Sequence, residues 1–277
     1  FKSKIMQNKS INLDLNFSKT TMHAGKRVLM ACVPADGHFN PLTGIAKQLQ
    51  SNGYDVRWYV SKEYSAKLNK LQIPHYPFNK AMELTAENVD QAFPERNTIR
   101  NPVKKLNFDI INFFINRGPE YYADIQDIYK KFRFDLVIAD CAFSAIPFIK
   151  EKMNIPVISI GVFPLTEKSK DLAPNGLGLT PIKGIFGKVK HRFLHLLADH
   201  LLFRQANKVM KQVLAKEGIE INNINLFDLL VKKSTLLLQS GTPGFEYKRS
   251  DLSSNIRYIG PLLPYHAPAL SASWFDK

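Results

Sequence analysis

Short apolar segments alternate with helical segments from residue 27 onward, and this alternation constrains the fold more than any other feature. The first segment, RVLMACVP at 27–34, is almost entirely apolar, which is typical of a parallel strand buried on both faces. A helix is predicted next, because Asn40 is a good N-cap residue, Pro41 fits the first helical position, and Gly53 ends the pattern. A strand, a helix and a strand follow at 55–61, 62–70 and 74–79.

The rest of the chain continues this pattern. Strands are predicted at 135–140, 156–161, 234–240 and 256–259. Helices are predicted at 101–132 (interrupted near Gly118 and Pro119), 144–153, 188–216 and 225–231. Residues 80–100 and the Pro- and Gly-rich residues 164–187 are predicted to be loops. The alternation predicts an α/β fold, a Rossmann-like, doubly wound parallel sheet.

Composition limits the classes of partner and compartment. The chain has 277 residues and carries 38 Lys and Arg against 24 Asp and Glu, a formal net charge of +14. This charge favours nucleic acid, phosphate-bearing ligands or an anionic membrane surface, without choosing among them. Cys32 and Cys141 lie in or beside apolar segments and are predicted to be buried free thiols, which suits a reducing, cytoplasmic location. No apolar run is long enough to span a membrane, and the first 26 residues do not resemble a secretory signal.

Two ionisable residues follow strands whose carboxyl ends are expected at one edge of the sheet. His38 follows the first strand, and Asp140 closes the strand at 135–140. Ligands of open α/β sheets bind at this edge. A carboxylate behind an imidazole fixes its tautomer, and a neutral His can accept a proton from a hydroxyl group. Residues 34–44 contain neither a G-x-G-x-x-G sequence nor a Walker lysine, which argues against a dinucleotide site.

Three segments resemble the family 1 UDP-glycosyltransferases. RVLMACVPADGHFNPLTGIAKQLQSNGYDVRWYVS is similar to their first β-α-β unit, and Gly37–Pro41 (GHFNP) matches their G-H-x-x-P motif. DLVIADCAFSAIPFIKEKMNIPVISIG resembles a later strand-helix-strand, and STLLLQSGTPGFEY with IRYIGPLLP resembles the path to the interdomain linker. The resemblance implies a GT-B fold whose N-terminal half binds the acceptor. Residues 1–26 would then be a tail, 27–261 the acceptor-binding domain, and 262–277 the linker and start of the C-terminal donor domain.

The resemblance also implies a reaction. His38 would deprotonate an acceptor hydroxyl, Asp140 would stabilise the protonated His38, and the sugar of a UDP-sugar would be transferred with inversion. No cofactor and no metal ion is implied. The family's donor-domain signature does not occur in the sequence, so UDP-sugar binding would need that domain. Gly37 and Phe39 are candidate amide donors at the helix start, while Phe143 and Phe163 are candidate walls for an apolar, hydroxylated acceptor.

Other interpretations stay open. The chain could be a non-catalytic ligand- or partner-binding module of GT-B ancestry, or a sugar-nucleotide epimerase of the same architecture. His191 and His195 have a metal-ligand spacing but no evident third ligand. Nucleic-acid binding rests on charge alone, and we do not expect it. The stretch 182–216 combines apolar residues with basic ones and could contact an anionic membrane; its basic residues are Lys183, Lys188, Lys190, Arg192, Arg204, Lys208 and Lys211.

Overall fold

A seven-stranded, fully parallel sheet forms the centre of the fold. The computed structural model describes residues 25–85, 88–175, 177–222 and 224–266. Along the sheet the strands follow the order β3-β2-β1-β4-β5-β6-β7. Their bounds are β1 Arg27–Ala31, β2 Asp55–Tyr59, β3 His75–Tyr76, β4 Leu136–Asp140, β5 Val157–Gly161, β6 Leu236–Gln239 and β7 Ile256–Tyr258. The predicted doubly wound α/β sheet is confirmed, with β1 and β4 adjacent at the point where the order reverses.

Both faces of the sheet are buried, and successive side chains of β1 point alternately into two separate apolar cores. Leu29 and Ala31 belong to one apolar core, together with the long helix that precedes β4. Val28 and Met30 point the other way, into a second core that includes Phe39 and Trp58. Because successive side chains of a strand point to opposite faces, a strand that is buried on both faces must be apolar throughout. This explains why β1 reads as a continuous apolar run.

Helices and helical turns connect the strands. The α-helices are α1 Asp36–Ser51, α2 Ser65–Lys70, α3 Val89–Ala92, α4 Pro102–Asp109, α5 Arg117–Lys131, α6 Ile146–Phe148, α7 Gly184–Leu197, α8 Arg204–Lys216 and α9 Leu226–Lys233. Segments of π-helix extend α4, α6 and α7 over Ile110–Ile115, Ile149–Met153 and Ala198–Leu202. Short 3₁₀ turns lie at Lys62–Tyr64, Pro94–Thr98 and Pro243–Phe245.

The predicted start of α1 at Pro41 is wrong by five residues. The helix begins at Asp36 because the carbonyl of Ala35 accepts the amides of His38 and Phe39, each at 2.9 Å. Asn40 is therefore not the cap, and Pro41 lies inside the helix. His38 consequently sits in the first helical turn instead of a preceding loop.

Several predicted boundaries also shift. The strand expected at 74–79 is reduced to His75–Tyr76 at the sheet edge, and the loop 80–100 contains α3 and a 3₁₀ turn. The break in the predicted helix at 101–132 lies at Asn116, two residues before the predicted position. Pro119 does not break the helix, because it falls in the first turn of α5, where its missing amide is tolerated. The helix expected from 188 begins at Gly184.

The structure describes only parts of the predicted N-terminal tail and of the predicted linker. Residues 1–24 of the predicted tail, and residues 267–277 at the predicted start of a second domain, lie outside the described part. The described start of the predicted linker is attached to α1 and to the end of β6. The amide of Tyr265 donates to Thr43 Oγ1 on α1 at 2.8 Å, and the amide of Leu262 donates to Ser240 Oγ, just after β6, at 3.2 Å.

Candidate functional site at the centre of the sheet edge

The candidate site lies where β1 and β4 end side by side. β1 continues through Cys32 and Val33 into α1, and β4 ends at Asp140. The two connections leave toward opposite ends of the strand order, since β1 leads to β2 and β4 leads to β5. A crevice opens at such a reversal, and it is the ligand-binding position of open α/β sheets. The expectation that His38 and Asp140 share one edge of the sheet is met.

Asp140 is fully buried and fixed by three hydrogen bonds. Its Oδ2 accepts the amide of Val33 at 2.8 Å, and its Oδ1 accepts the amide of Ala142 at 2.7 Å. The same Oδ1 lies 2.8 Å from Nδ1 of His38. Two backbone amides fix this buried carboxylate in position, and as a hydrogen-bond acceptor it favours the tautomer of His38 that carries its proton on Nδ1. Nε2 of the neutral ring is then the basic atom.

The pKa of His38 reflects two opposing influences. Partial burial of the ring lowers its pKa, and the hydrogen bond and negative charge of Asp140 raise it; the net result is a pKa above the ordinary value of 6.5. The side chain of His38 keeps 21% of its surface exposed, whereas that of Asp140 has none. His38 can therefore exchange a proton with a bound molecule while Asp140 remains behind it.

An apolar cavity of about 230 Å³ begins beside this pair. Phe163 connects the two: its ring lies edge-on to His38 with centroids 5.9 Å apart, and it also lines the cavity. Cys141 and Ala142, directly after Asp140, form another part of the wall. The remaining lining comes mostly from the π-helical segment after α4, from α8 and from α9, and includes Ile110, Phe114, Met210, Val213, Phe227 and Leu230. The volume exceeds the roughly 150 Å³ that accommodates a benzene-sized molecule.

Ser144 and Gln239 are polar residues of the cavity wall that were not identified from the sequence. Ser144 Oγ is buried and has no hydrogen-bond partner among the described residues. Gln239 Nε2 donates to the carbonyl of Phe163 at 2.9 Å and so fixes the residue that faces His38. Gln239 ends β6 at the same edge of the sheet as Asp140, so strand-end position could have indicated it. Ser144 has no comparable sequence signal.

Of the other predicted site residues, some lie at the site and others lie in the core. Phe163 lies at the site, and Gly37 lies in the first turn of α1, where its amide has no acceptor within the helix. Phe39 is a core residue: its ring packs 4.7 Å from Trp58, and its amide is engaged by Ala35. Phe143 is also fully buried, stacked 5.0 Å from Tyr121. The structure therefore brings His38, Asp140, Gly37 and Phe163 together but places Phe39 and Phe143 in the core.

The two thiols, and the two histidines with metal-ligand spacing, are held by contacts within the fold. Cys32 and Cys141 are free, and burial raises the pKa of both, that of Cys141 to about 12, with the charge of Asp140 adding to the effect. His195 Nε2 lies 2.9 Å from the carbonyl of Leu172, and His191 accepts the amide of Ile182. Across residues 25–85, 88–175, 177–222 and 224–266, no group of three or more His, Cys, Asp or Glu residues could hold a metal ion.

The chain resembles proteins and solved structures that are named as glycosyltransferases. No protein-family model matches the sequence. The chain is 28% identical over 254 residues to 4'-demethylrebeccamycin synthase of Lentzea aerocolonigenes, a match that covers 91% of this chain and 60% of that protein. It is 27% identical over 270 residues to UDP-glucosyltransferase 1 of Beauveria bassiana, covering 87% and 55% respectively. The chain thus spans between half and two thirds of the length of these relatives.

Solved structures define the fold. The glycosyltransferase of kitacinnamycin superposes with a TM-score of 0.61 at 16% identity, over 90% of this chain and 54% of that one. The glycosyltransferase VinC, in complex with dTDP, superposes with a TM-score of 0.56 at 14% identity, over 91% and 57%. The architecture is therefore that of half of a GT-B glycosyltransferase. The chain is similar in sequence to proteins named as UDP-glucosyltransferases, and each match covers about half of those proteins, the share that one domain of a two-domain enzyme would take.

Proposed function

We propose that this chain is the acceptor-binding half of an enzyme that transfers a sugar from a UDP-sugar to a hydroxyl group of an apolar small molecule. The observation that carries the proposal is the His38–Asp140 pair, held at 2.8 Å beside an apolar cavity. The names of the sequence relatives support UDP-sugar as the donor. The donor-binding half is proposed to lie outside the 277 residues.

In the proposed reaction the acceptor lies in the cavity with its hydroxyl group toward Nε2 of His38. His38 accepts the hydroxyl proton as the oxygen forms a bond to the anomeric carbon of the sugar. The bond from that carbon to UDP breaks on the opposite face, so the anomeric configuration inverts. Asp140 stabilises the imidazolium that forms, because its carboxylate already faces Nδ1.

The cavity supports an apolar acceptor with a small polar group. Its wall is built mainly from Ile, Leu, Val, Met and Phe side chains, and burying such surface contributes roughly 25 cal/mol per Å². Ser144 Oγ is available to hydrogen-bond a polar atom of the acceptor, since it has no partner among the described residues. The amide of Gly37 is proposed to stabilise anionic oxygen at the start of α1. No metal ion or cofactor takes part in the proposed step.

The test requires the protein with its donor half restored. UDP release would be assayed with a panel of UDP-sugars and phenolic or macrolide acceptors, and the anomeric configuration of the product would be read by NMR. We expect turnover with at least one pair, an inverted product, and no loss of rate when EDTA is added. Retained configuration would contradict the mechanism. Acceptor binding without turnover for any donor would instead favour a non-catalytic binding module.

A further inference from the structure

The surface of α7 that faces solvent is its apolar surface. Every fourth residue from Gly187, namely Gly187, His191 and His195, is buried. Two residues before each of these lie Ile185, Val189 and Phe193, which are 79%, 63% and 64% exposed. At 100° per residue, these two stripes occupy opposite sides of the helix. The helix therefore packs on the domain through its small and polar face.

The attachment of this inner face is specific. His195 Nε2 lies within 3.1 Å of the carbonyls of Ser169 and Leu172. Gly187 approaches the carbonyl of Ile182 so closely that a Cβ atom at this position would lie only 1.8 Å from the carbonyl oxygen. These contacts fix the rotation of α7, so its outward apolar face is part of the fold.

The outward face carries further exposed apolar residues. Phe186, which is 90% exposed, widens the stripe. Other exposed apolar residues, in α7 and in the π-helical segment that extends it, add to it: Leu196, Leu197 and Leu201. Soluble monomeric proteins rarely expose contiguous apolar areas of this kind, and those that occur usually mark an interaction surface.

Basic residues border the stripe on both sides. Around the helix, Lys188 and Arg192 fall between the buried and the exposed stripe on one side, and Lys190 falls between them on the other. All three are exposed, and none forms a salt bridge with another described residue. The helix itself contains no Asp or Glu, and the first acidic residue after it, Asp199, is paired with Lys168 at 2.9 Å.

We propose that the outward face of α7 binds an anionic phospholipid surface and lies in the plane of that surface. The apolar stripe would enter the headgroup region while the flanking Lys and Arg side chains meet lipid phosphates, the pattern of an interfacial amphipathic helix. A second copy of the chain fits less well, because it would bring like charges together. Among the described residues, no helix is long and apolar enough to cross a bilayer. This proposal does not depend on the sugar-transfer reaction.

Vesicle flotation of the full chain tests the proposal. We expect binding to phosphatidylcholine vesicles that contain phosphatidylglycerol, weaker binding to phosphatidylcholine alone, and loss of binding as salt rises well above about 0.1 M. Replacing Phe186 and Phe193 by Ser should abolish flotation. Phe245, which is 94% exposed on a different segment, provides the matched control, and Phe245→Ser should float like the native chain.

Charge reversal separates the electrostatic contribution. A basic residue near an anionic surface contributes a factor of about five to binding, so K188E, K190E and R192E together should weaken it by at least about 100-fold. The triple variant K62E, K70E and K104E changes the net charge equally at exposed positions elsewhere and should have a much smaller effect. Equal loss in both triple variants, or native protein that fails to float, would overturn the proposal. So would light scattering that shows α7-dependent dimers in place of vesicle binding.

Discussion

Nδ1 of His38 lies 2.8 Å from Oδ1 of Asp140, and the carboxylate that meets it is itself held by the amides of Val33 and Ala142. Backbone groups from the ends of β1 and β4 thus orient the carboxylate, and the carboxylate orients the imidazole. The arrangement leaves Nε2 as the basic atom of a neutral His38.

Asp140→Asn should lower turnover of the enzyme with its donor half by about 10²–10⁴-fold. An Asn side chain can present its NH₂ group to Nδ1, which would place the ring proton on Nε2 and remove the basic atom from the acceptor side. Acceptor affinity, measured by titration calorimetry, should change little, because Asp140 is buried behind His38. Native-like turnover in a folded Asp140→Asn protein would contradict this role.

The pH dependence of kcat/KM should show an acidic limb governed by His38. Because Asp140 raises the pKa of His38 above 6.5, activity should increase through a midpoint above that value as the neutral, basic form appears. The same pair stabilises the protonated ring, so its contribution to folding is fully present below about pH 6.5 and is lost as pH rises through the folded-state pKa. NMR titration of the His38 ring tests both statements, and a midpoint below 6.5 would contradict them.

Ser144→Leu should block the acceptor cavity. The larger side chain fills part of a space of about 230 Å³, so we expect acceptor affinity to fall by more than about 10-fold while the pKa of His38 stays unchanged. Ser144→Ala is the matched control, because it keeps the space and removes only the hydroxyl group. Its loss should be about 2- to 10-fold, and only for acceptors that offer a polar atom there. Unchanged affinity in Ser144→Leu would place the acceptor elsewhere.

Gly161→Ala should destabilise the protein through Gln239. A Cβ atom at Gly161 would lie 2.0 Å from Gln239 Oε1, so the carboxamide must move and release the carbonyl of Phe163. We expect a loss of about 1–3 kcal/mol in the free energy of unfolding, seen as a Tm lowered by several degrees. In a Gln239→Ala background the same change should cost much less. Additive effects of the two substitutions would argue against this contact.

Much of the fold could be predicted from local patterns. Continuous apolar runs such as RVLMACVP identify buried parallel strands. Ligands of open α/β sheets bind at the carboxyl ends of the strands, and this rule predicts that His38 and Asp140, 102 residues apart in the sequence, lie at one site. The predicted start of α1 is wrong because Asn40 and Pro41 together form a strong local signal for a helix start. The carbonyl of Ala35 already accepts the amides of the preceding turn, which no propensity scale records.

Apart from Phe163, which was a predicted wall residue, the cavity could not be predicted from the sequence. Its wall combines residues from separate helices, such as Phe114, Met210 and Leu230, and each of them reads locally as an ordinary core position. The burial of individual polar side chains could not be predicted from the sequence either. Asp124 on α5 reads as a surface charge, but it is buried and accepts hydrogen bonds from Tyr59 Oη and from the amides of Asn79, Lys80 and Ala81. Such roles depend on contacts between distant segments.

Comparison of the native enzyme with His38→Ala tests the central claim most directly. UDP release would be measured with the donor half present and with a donor and acceptor pair that the native enzyme uses. We expect turnover to fall by at least about 10³-fold, while acceptor affinity and the unfolding temperature stay close to native values. Turnover that survives in the folded His38→Ala protein would show that another group accepts the proton.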